Sequence, residues 1–91
     1  MPINIYNVNS MAEIIWLCDD IWDLPSQIEE LEKWLIEHSD TLPKADYVID
    51  IGFGIRLDAT GGGTVISSKL MKLMADKGFD LYLSEYPNQL G

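Results

Sequence analysis

Three carboxylates, Asp19, Asp20 and Asp23, stand within five positions of one another with Trp22 among them. Carboxylates this close can hold a divalent cation or present negative charge to a cationic partner. The run lacks the alternating oxygen ligands and closing glutamate of a calcium loop, so charge presentation is the expectation and no metal or cofactor is predicted. Trp22, flanked by Asp20 and Asp23, is expected to be partly exposed. An aromatic ringed by acids has the composition of a protein-binding hot spot, with core packing as the competing reading.

Other residues that could do chemistry have blander readings. Gly61-Gly62-Gly63 precedes a helical pattern, as a phosphate cradle would, but no P-loop lysine follows it. A permissive turn is the expectation there. His38 is the single histidine and falls at the end of a helical stripe, where a positive imidazole interacts favourably with the helix dipole. Cys18 is the single cysteine. The charges of Asp19 and Asp20 disfavour its thiolate, and it reads as a packing residue. No serine or cysteine has an identifiable base partner, so nucleophilic catalysis lacks its apparatus and no enzyme is predicted.

Charge sorts the classes of partner. Fifteen acids against six bases give a net charge of −9 over 91 residues. Residues 1–40 hold nine acids and one base, a net of −8, whereas residues 41–91 are close to neutral at −1. Nucleic acid is excluded as a partner on this balance, because phosphate binding needs Lys and Arg to displace counterions. An anionic membrane surface is disfavoured on the same ground. A basic protein would be drawn in and its encounter accelerated, while the competing reading is that the acidity serves solubility alone. No apolar run reaches the roughly 20 residues of a membrane span, Met1 to Tyr6 is unlike a signal peptide, and a lone cysteine fits the cytoplasm.

These residues need elements to position them. Ile3 to Val8 alternates as a short strand. Ser10 followed by Glu13 has capping-box spacing, and Met11, Ile14, Ile15, Cys18, Ile21 and Trp22 recur with a helical period, predicting a helix over residues 10–21. A strand over Glu13–Cys18 is the alternative, since Ile14-Ile15-Trp16-Leu17 is rich in β-formers. A break at Asp23-Leu24-Pro25 precedes a second capping box, Ser26 to Glu29. From there Ile28, Leu31, Trp34, Leu35 and His38 make one stripe, leaving Glu29, Glu30, Glu32, Lys33 and Glu37 on the outside of an acidic amphipathic helix. Residues 46–57 alternate strictly, with Tyr47, Ile49, Ile51, Phe53, Ile55 and Leu57 on one face. Gly52 and Gly54 bare the other face, predicting a bulge, a bend or a close neighbour. Asp58 to Thr64 reads as a turn. A helix follows over Ser67 to Lys77, with Ser67 or Ser68 as its cap and Gly78 as its stop. Phe79, Leu81 and Leu83 begin a last strand, ended by Pro87 and a frayed tail from Asn88. Together these elements predict one α+β domain: a two-layer sandwich, a small mixed sheet with two or three helices covering one face.

From about residue 22 to residue 86 the chain resembles an uncharacterised bacterial family of unknown function. The resemblance is carried by Trp22 before the acidic helix, by Tyr47-Val48-Ile49-Asp50-Ile51-Gly52-Phe53-Gly54, by the glycine turn and Ile66-Ser67-Ser68-Lys69-Leu70-Met71, and by Lys77-Gly78-Phe79-Asp80-Leu81-Tyr82-Leu83. Families of this kind are thought to include immunity proteins, which neutralise toxins in bacterial competition. The resemblance therefore implies an inhibitor, and the charge implies that its target is basic, as toxins that act on nucleic acid are. The expected contacts are Asp19, Asp20, Trp22, Asp23, Glu29, Glu30, Lys33 and Glu37. Two alternatives stand beside this: a DNA mimic that blocks a host nucleic-acid-binding protein, and a subunit that pairs with itself through an exposed edge at residues 79–86.

Overall fold

The first turn of the chain is set by Asn7. Its Oδ1 accepts from the amides of Asn9 at 2.9 Å and Ser10 at 3.1 Å, and the Asn7 amide donates to Ala12 O across the loop. An asparagine that holds the amides two and three residues ahead reverses the chain locally. In the computed structural model, which describes residues 2–56, 60–61 and 63–86, the segment after this turn is a strand. β1 (Ile3–Asn7) and β2 (Glu13–Leu17) form an antiparallel hairpin, with Ile3 opposite Leu17 and a register shift between Ile5 and Tyr6. The helix expected over residues 10–21 is therefore absent. Ser10 Oγ accepts from Ala12 rather than from a helical third turn position, and the β-branched and aromatic run pairs with β1. Tertiary pairing has overridden a weak helical period.

The next element is α1 (Leu24–His38). Its cap is Asp23, in extended conformation, whose carboxylate accepts from the Ser26 amide at 3.1 Å. The helix thus starts earlier than the Ser26 capping box predicted. Pro25 lies in the first turn, where the missing amide would have had no intrahelical partner and the fixed φ suits the helix. A 3-10 turn (Ser39–Thr41) closes α1.

β3 (Tyr47–Gly54) is the central strand, antiparallel to β1 on one side and parallel to β4 (Phe79–Tyr86) on the other. The helix α2 (Ser68–Lys77) makes the crossover between the parallel pair. Ser67 caps it, with Oγ accepting from Leu70 at 3.0 Å. The sheet order is β2-β1-β3-β4, and the result is the mixed sheet with helices on one face that the sequence implies. Leu57 to Ala59 and Gly62, within the predicted strand end and glycine turn, lie outside the described residues, as do Pro87 and the tail.

The core lies between the sheet and the helices. Ile3, Ile5, Tyr47, Ile49, Ile51 and Phe79 come from the strands; Ile28, Leu31, Trp34 and Leu35 from α1; Leu70 and Met74 from α2. Tyr47 and Phe79 stack with ring centroids 4.6 Å apart. Because strand side chains alternate, only every second residue of each strand can join this layer.

Gly78 shows how tightly α2 is tied to β3. It takes φ +90° at the helix end, and the Ala45 and Tyr47 amides donate to the carbonyls of Lys77 and Gly78. A Cβ at position 78 would sit 1.9 Å from Ala45 O. Gly78→Ala is expected to destabilise the fold by about 2 kcal/mol or more, from left-handed strain plus displacement of this contact. Urea denaturation measures it, and an unchanged midpoint would show that the α2–β3 junction is not tight.

Candidate functional site

Backbone accounting at the end of β3 locates the residues that hold the acidic segment in place. β3 extends past the start of β1: Ile51 faces Ile3, and the Gly52 amide donates to Pro2 O at 2.6 Å. Beyond that point the β1 side of β3 has no strand beside it. Buried backbone groups need partners, and two other parts of the chain supply them. The Gly54 amide donates to Trp22 O at 2.9 Å, and Gln27 Nε2 donates to Gly52 O at 2.8 Å. The same Gln27 nitrogen donates to Ile21 O at 2.8 Å. Gln27 is fully buried, so one amide group joins the first turn of α1, the segment leading into it and the end of the central strand.

This clasp positions the predicted contacts. Asp19 and Asp20 occupy the corner of a turn closed by the Ile21 amide donating to Cys18 O at 3.2 Å, and both are exposed. Trp22 is half-buried, its ring edge-on to Tyr86 with centroids 5.9 Å apart. Tyr86 also lies over Gly52, where a Cβ would come within 2.6 Å of its Cε2. The bare face at the β3 glycines therefore has a close neighbour, one of the three outcomes the sequence allowed.

Six of the eight predicted residues fall into two groups, and one of the six, Asp23, also caps α1. Around Cys18 gather Glu30, Asp23 and Asp19. Burial pushes the Cys18 thiol above its ordinary value, and these three carboxylates add to the effect. Along the outside of α1, Glu29, Lys33 and Glu37 line a shallow groove with Glu32 and Ile36; Ile36 is 48 % exposed. Among the described residues Lys33 has no carboxylate within ion-pairing distance, and the ion pairs present are Lys72 with Asp76 and His38 with Glu37. Among the described residues Glu29, Glu30 and Glu32 of α1 thus have no ion-pair partner. Asp23 is committed to capping, and the Ser26 hydrogen bond holds its carboxyl below the usual aspartate range. His38 is exposed at the end of α1 with its ring 5.4 Å from that of Trp34.

No group of three His, Cys, Asp or Glu side chains among the described residues is arranged to hold a metal ion. Among the described residues no helix is long and apolar enough to cross a membrane. What the arrangement offers is a largely unpaired acidic surface with a shallow groove and an exposed aliphatic side chain set in it. Sequence reasoning missed Gln27 altogether. Its position one step before Ile28 on the buried side of α1 was the available signal, but a polar residue there reads as solvated.

Two outcomes are expected. Gln27→Ala leaves the Ile21 and Gly52 carbonyls without their donor and should cost about 2–3 kcal/mol, measured by thermal or urea unfolding; a loss under about 0.5 kcal/mol would mean that water replaces the clasp at no cost. For Asp23, the lowered folded-state pKa means that its stabilisation is present above the unfolded carboxyl value and is lost as pH falls through the folded one. Asp23→Asn retains a capping side chain and should flatten that part of the acid unfolding curve. An unaltered curve would assign the acid sensitivity elsewhere.

Comparison with known proteins supplies no family: no family model matches the chain, and neither a curated protein nor a solved structure matches it.

Proposed function

We propose that this chain is a small acidic binding protein that neutralises a basic protein by occupying its cationic cleft, as an immunity protein does with a toxin that acts on nucleic acid. The observation that carries the reading is the outer face of α1 with the adjoining Asp19–Asp20 turn. There Glu29, Glu30, Glu37, Asp19 and Asp20 are exposed, and among the described residues no cation pairs with them beyond His38, 4.0 Å from Glu37. Exposed charge of one sign raises the rate of encounter with a partner of the other sign and opposes wrong partners.

Two supporting features concern shape. The acids sit on a helix and a closed turn, both anchored to the sheet through Gln27 and Trp22, so little backbone ordering remains to be done on binding. Ile36 within the groove gives an apolar anchor among the charges. A second copy of the chain is a poorer partner for this face, since each copy brings a charge of −9.

The test separates Asp23 from the other acids, because reversing its charge also removes a helix cap. With a basic partner captured from the source cell and then purified, the double variants Asp19→Lys/Asp20→Lys and Glu29→Lys/Glu30→Lys should each weaken binding roughly tenfold or more at low salt. Each should also make the remaining affinity less sensitive to salt, with circular dichroism unchanged. Binding that survives both variants at every salt concentration would remove this surface from the interface.

A further inference from the structure

α1 and α2 cover one face of the sheet, and the pairing register identifies what the other face carries. Trp16, Asn4, Asp50 and Tyr82 lie in a row across all four strands, and Glu13, Tyr6, Val48 and Asp80 form the next row. Trp16 is 39 % exposed and Tyr82 53 %. Two features distinguish this surface from an ordinary solvated sheet. It is aromatic, with Trp16, Tyr6 and Tyr82 on three different strands. Its charged residues are Glu13, Asp50 and Asp80, with no lysine or arginine in either row.

A groove of about 500 Å³ lies on this face, lined by Asn4, Tyr6, Met11, Glu13 and Asp50. Asn4, which lines this groove, has a buried Oδ1 with no hydrogen-bond partner. A buried acceptor left unpaired is costly, and the residue that carries it shares the groove lining with the carboxylates Glu13 and Asp50 and with Tyr6. The protein contact of the Asp50 carboxylate is a 3.5 Å bond from Ser84 Oγ. The groove is therefore rich in acceptors and poor in donors, and it lies beside aromatic rings.

We propose that the open sheet face is a docking surface for an arginine-bearing segment of the basic partner, with one guanidinium entering the groove beside Asn4 and Asp50. This rests on the reading of the chain as a binder of basic protein and adds a second surface to it. A guanidinium supplies five donors in a plane and stacks on aromatic faces, which an ammonium does less well. It would give Asn4 Oδ1 its missing donor and neutralise Asp50. The rows cross four strands, roughly 15 Å at the usual strand spacing, which suits a stretch of polypeptide rather than a single small cation. Charge complementarity selects a basic partner over a second copy, whose single arginine, Arg56, already donates to Gly61 O at 3.3 Å.

The experiment uses the intact chain and a synthetic peptide of alternating Arg and Val, followed by two-dimensional nitrogen–proton NMR at low salt. The peptide should shift the Asn4 side-chain amide, the Trp16 indole N–H and the Asp50 and Tyr82 amides. Asp50→Asn, which keeps the side-chain volume, and Tyr82→Ala should each weaken binding roughly tenfold, and so should replacing Arg by Lys in the peptide. Asp76→Asn, which removes the same charge from α2 on the covered side of the sheet, should change the peptide affinity less than about twofold. Shifts confined to α1 and the Asp19–Asp20 turn would overturn the open-face site while leaving the proposed function standing. No shift anywhere would overturn both. Shifts on the open face that grow with protein concentration alone, with a dimer in sedimentation, would show that a second copy covers it and would likewise overturn the proposal.

Discussion

The structure depends on how the end of the central strand is completed. β3 and β1 are the two inner strands of the sheet, and β3 runs past β1, leaving Gly52 O and the Gly54 amide without a strand to bond. Gln27 and the Trp22 carbonyl fill that vacancy. A hydrogen bond of this kind contributes only about 1 kcal/mol net, but leaving a buried partner unpaired costs more. The chain is therefore constrained to bring residues 21–27 against the sheet, and that constraint orients α1. It also places the Asp19–Asp20 turn and the acidic helix on one continuous support.

That arrangement separates two jobs within the chain. The sheet, α2 and the inner stripe of α1 supply the buried apolar layer. The outer stripe of α1 and the turn before it supply charge that, among the described residues, is left unpaired apart from Glu37 with His38. Such charge is costly to concentrate, since like charges repel, and a fold gains nothing from placing it on one helix. The proposed partner of opposite sign would give it a use. The open sheet face adds a different chemistry, aromatic rings and acceptors in register, on the side away from the helices.

Much of the fold was legible in the sequence because its periods are clean. The strict alternation from Tyr47 to Phe53 and the stripe Ile28, Leu31, Trp34, Leu35 each match one template and not the other. Gly78 and Ser67 mark the two ends of α2 by chemistry that admits few alternatives. Residues 13–17 were misread because Glu13-Ile14-Ile15-Trp16-Leu17 fits a helical period and a strand equally well, and the deciding fact, the Asn7 turn that folds it back on β1, is a tertiary outcome. The cap moved from Ser26 to Asp23 because both have suitable side chains and only the path of the chain chooses between them.

The site was less legible than the fold. The acids of α1 were placed correctly on its outer face, since exposure follows from the helical period. Gln27 was invisible for the opposite reason: its role depends on two carbonyls 6 and 25 residues away, a relation no local pattern encodes. The most direct probe of this anchoring is the Gly54 amide, which is bonded to Trp22 O and to no strand. Amide hydrogen exchange should find it protected to a degree comparable with Gly52, its neighbour two residues earlier. Exchange at the rate of an open loop would contradict the claim that the acidic segment is held to the end of β3.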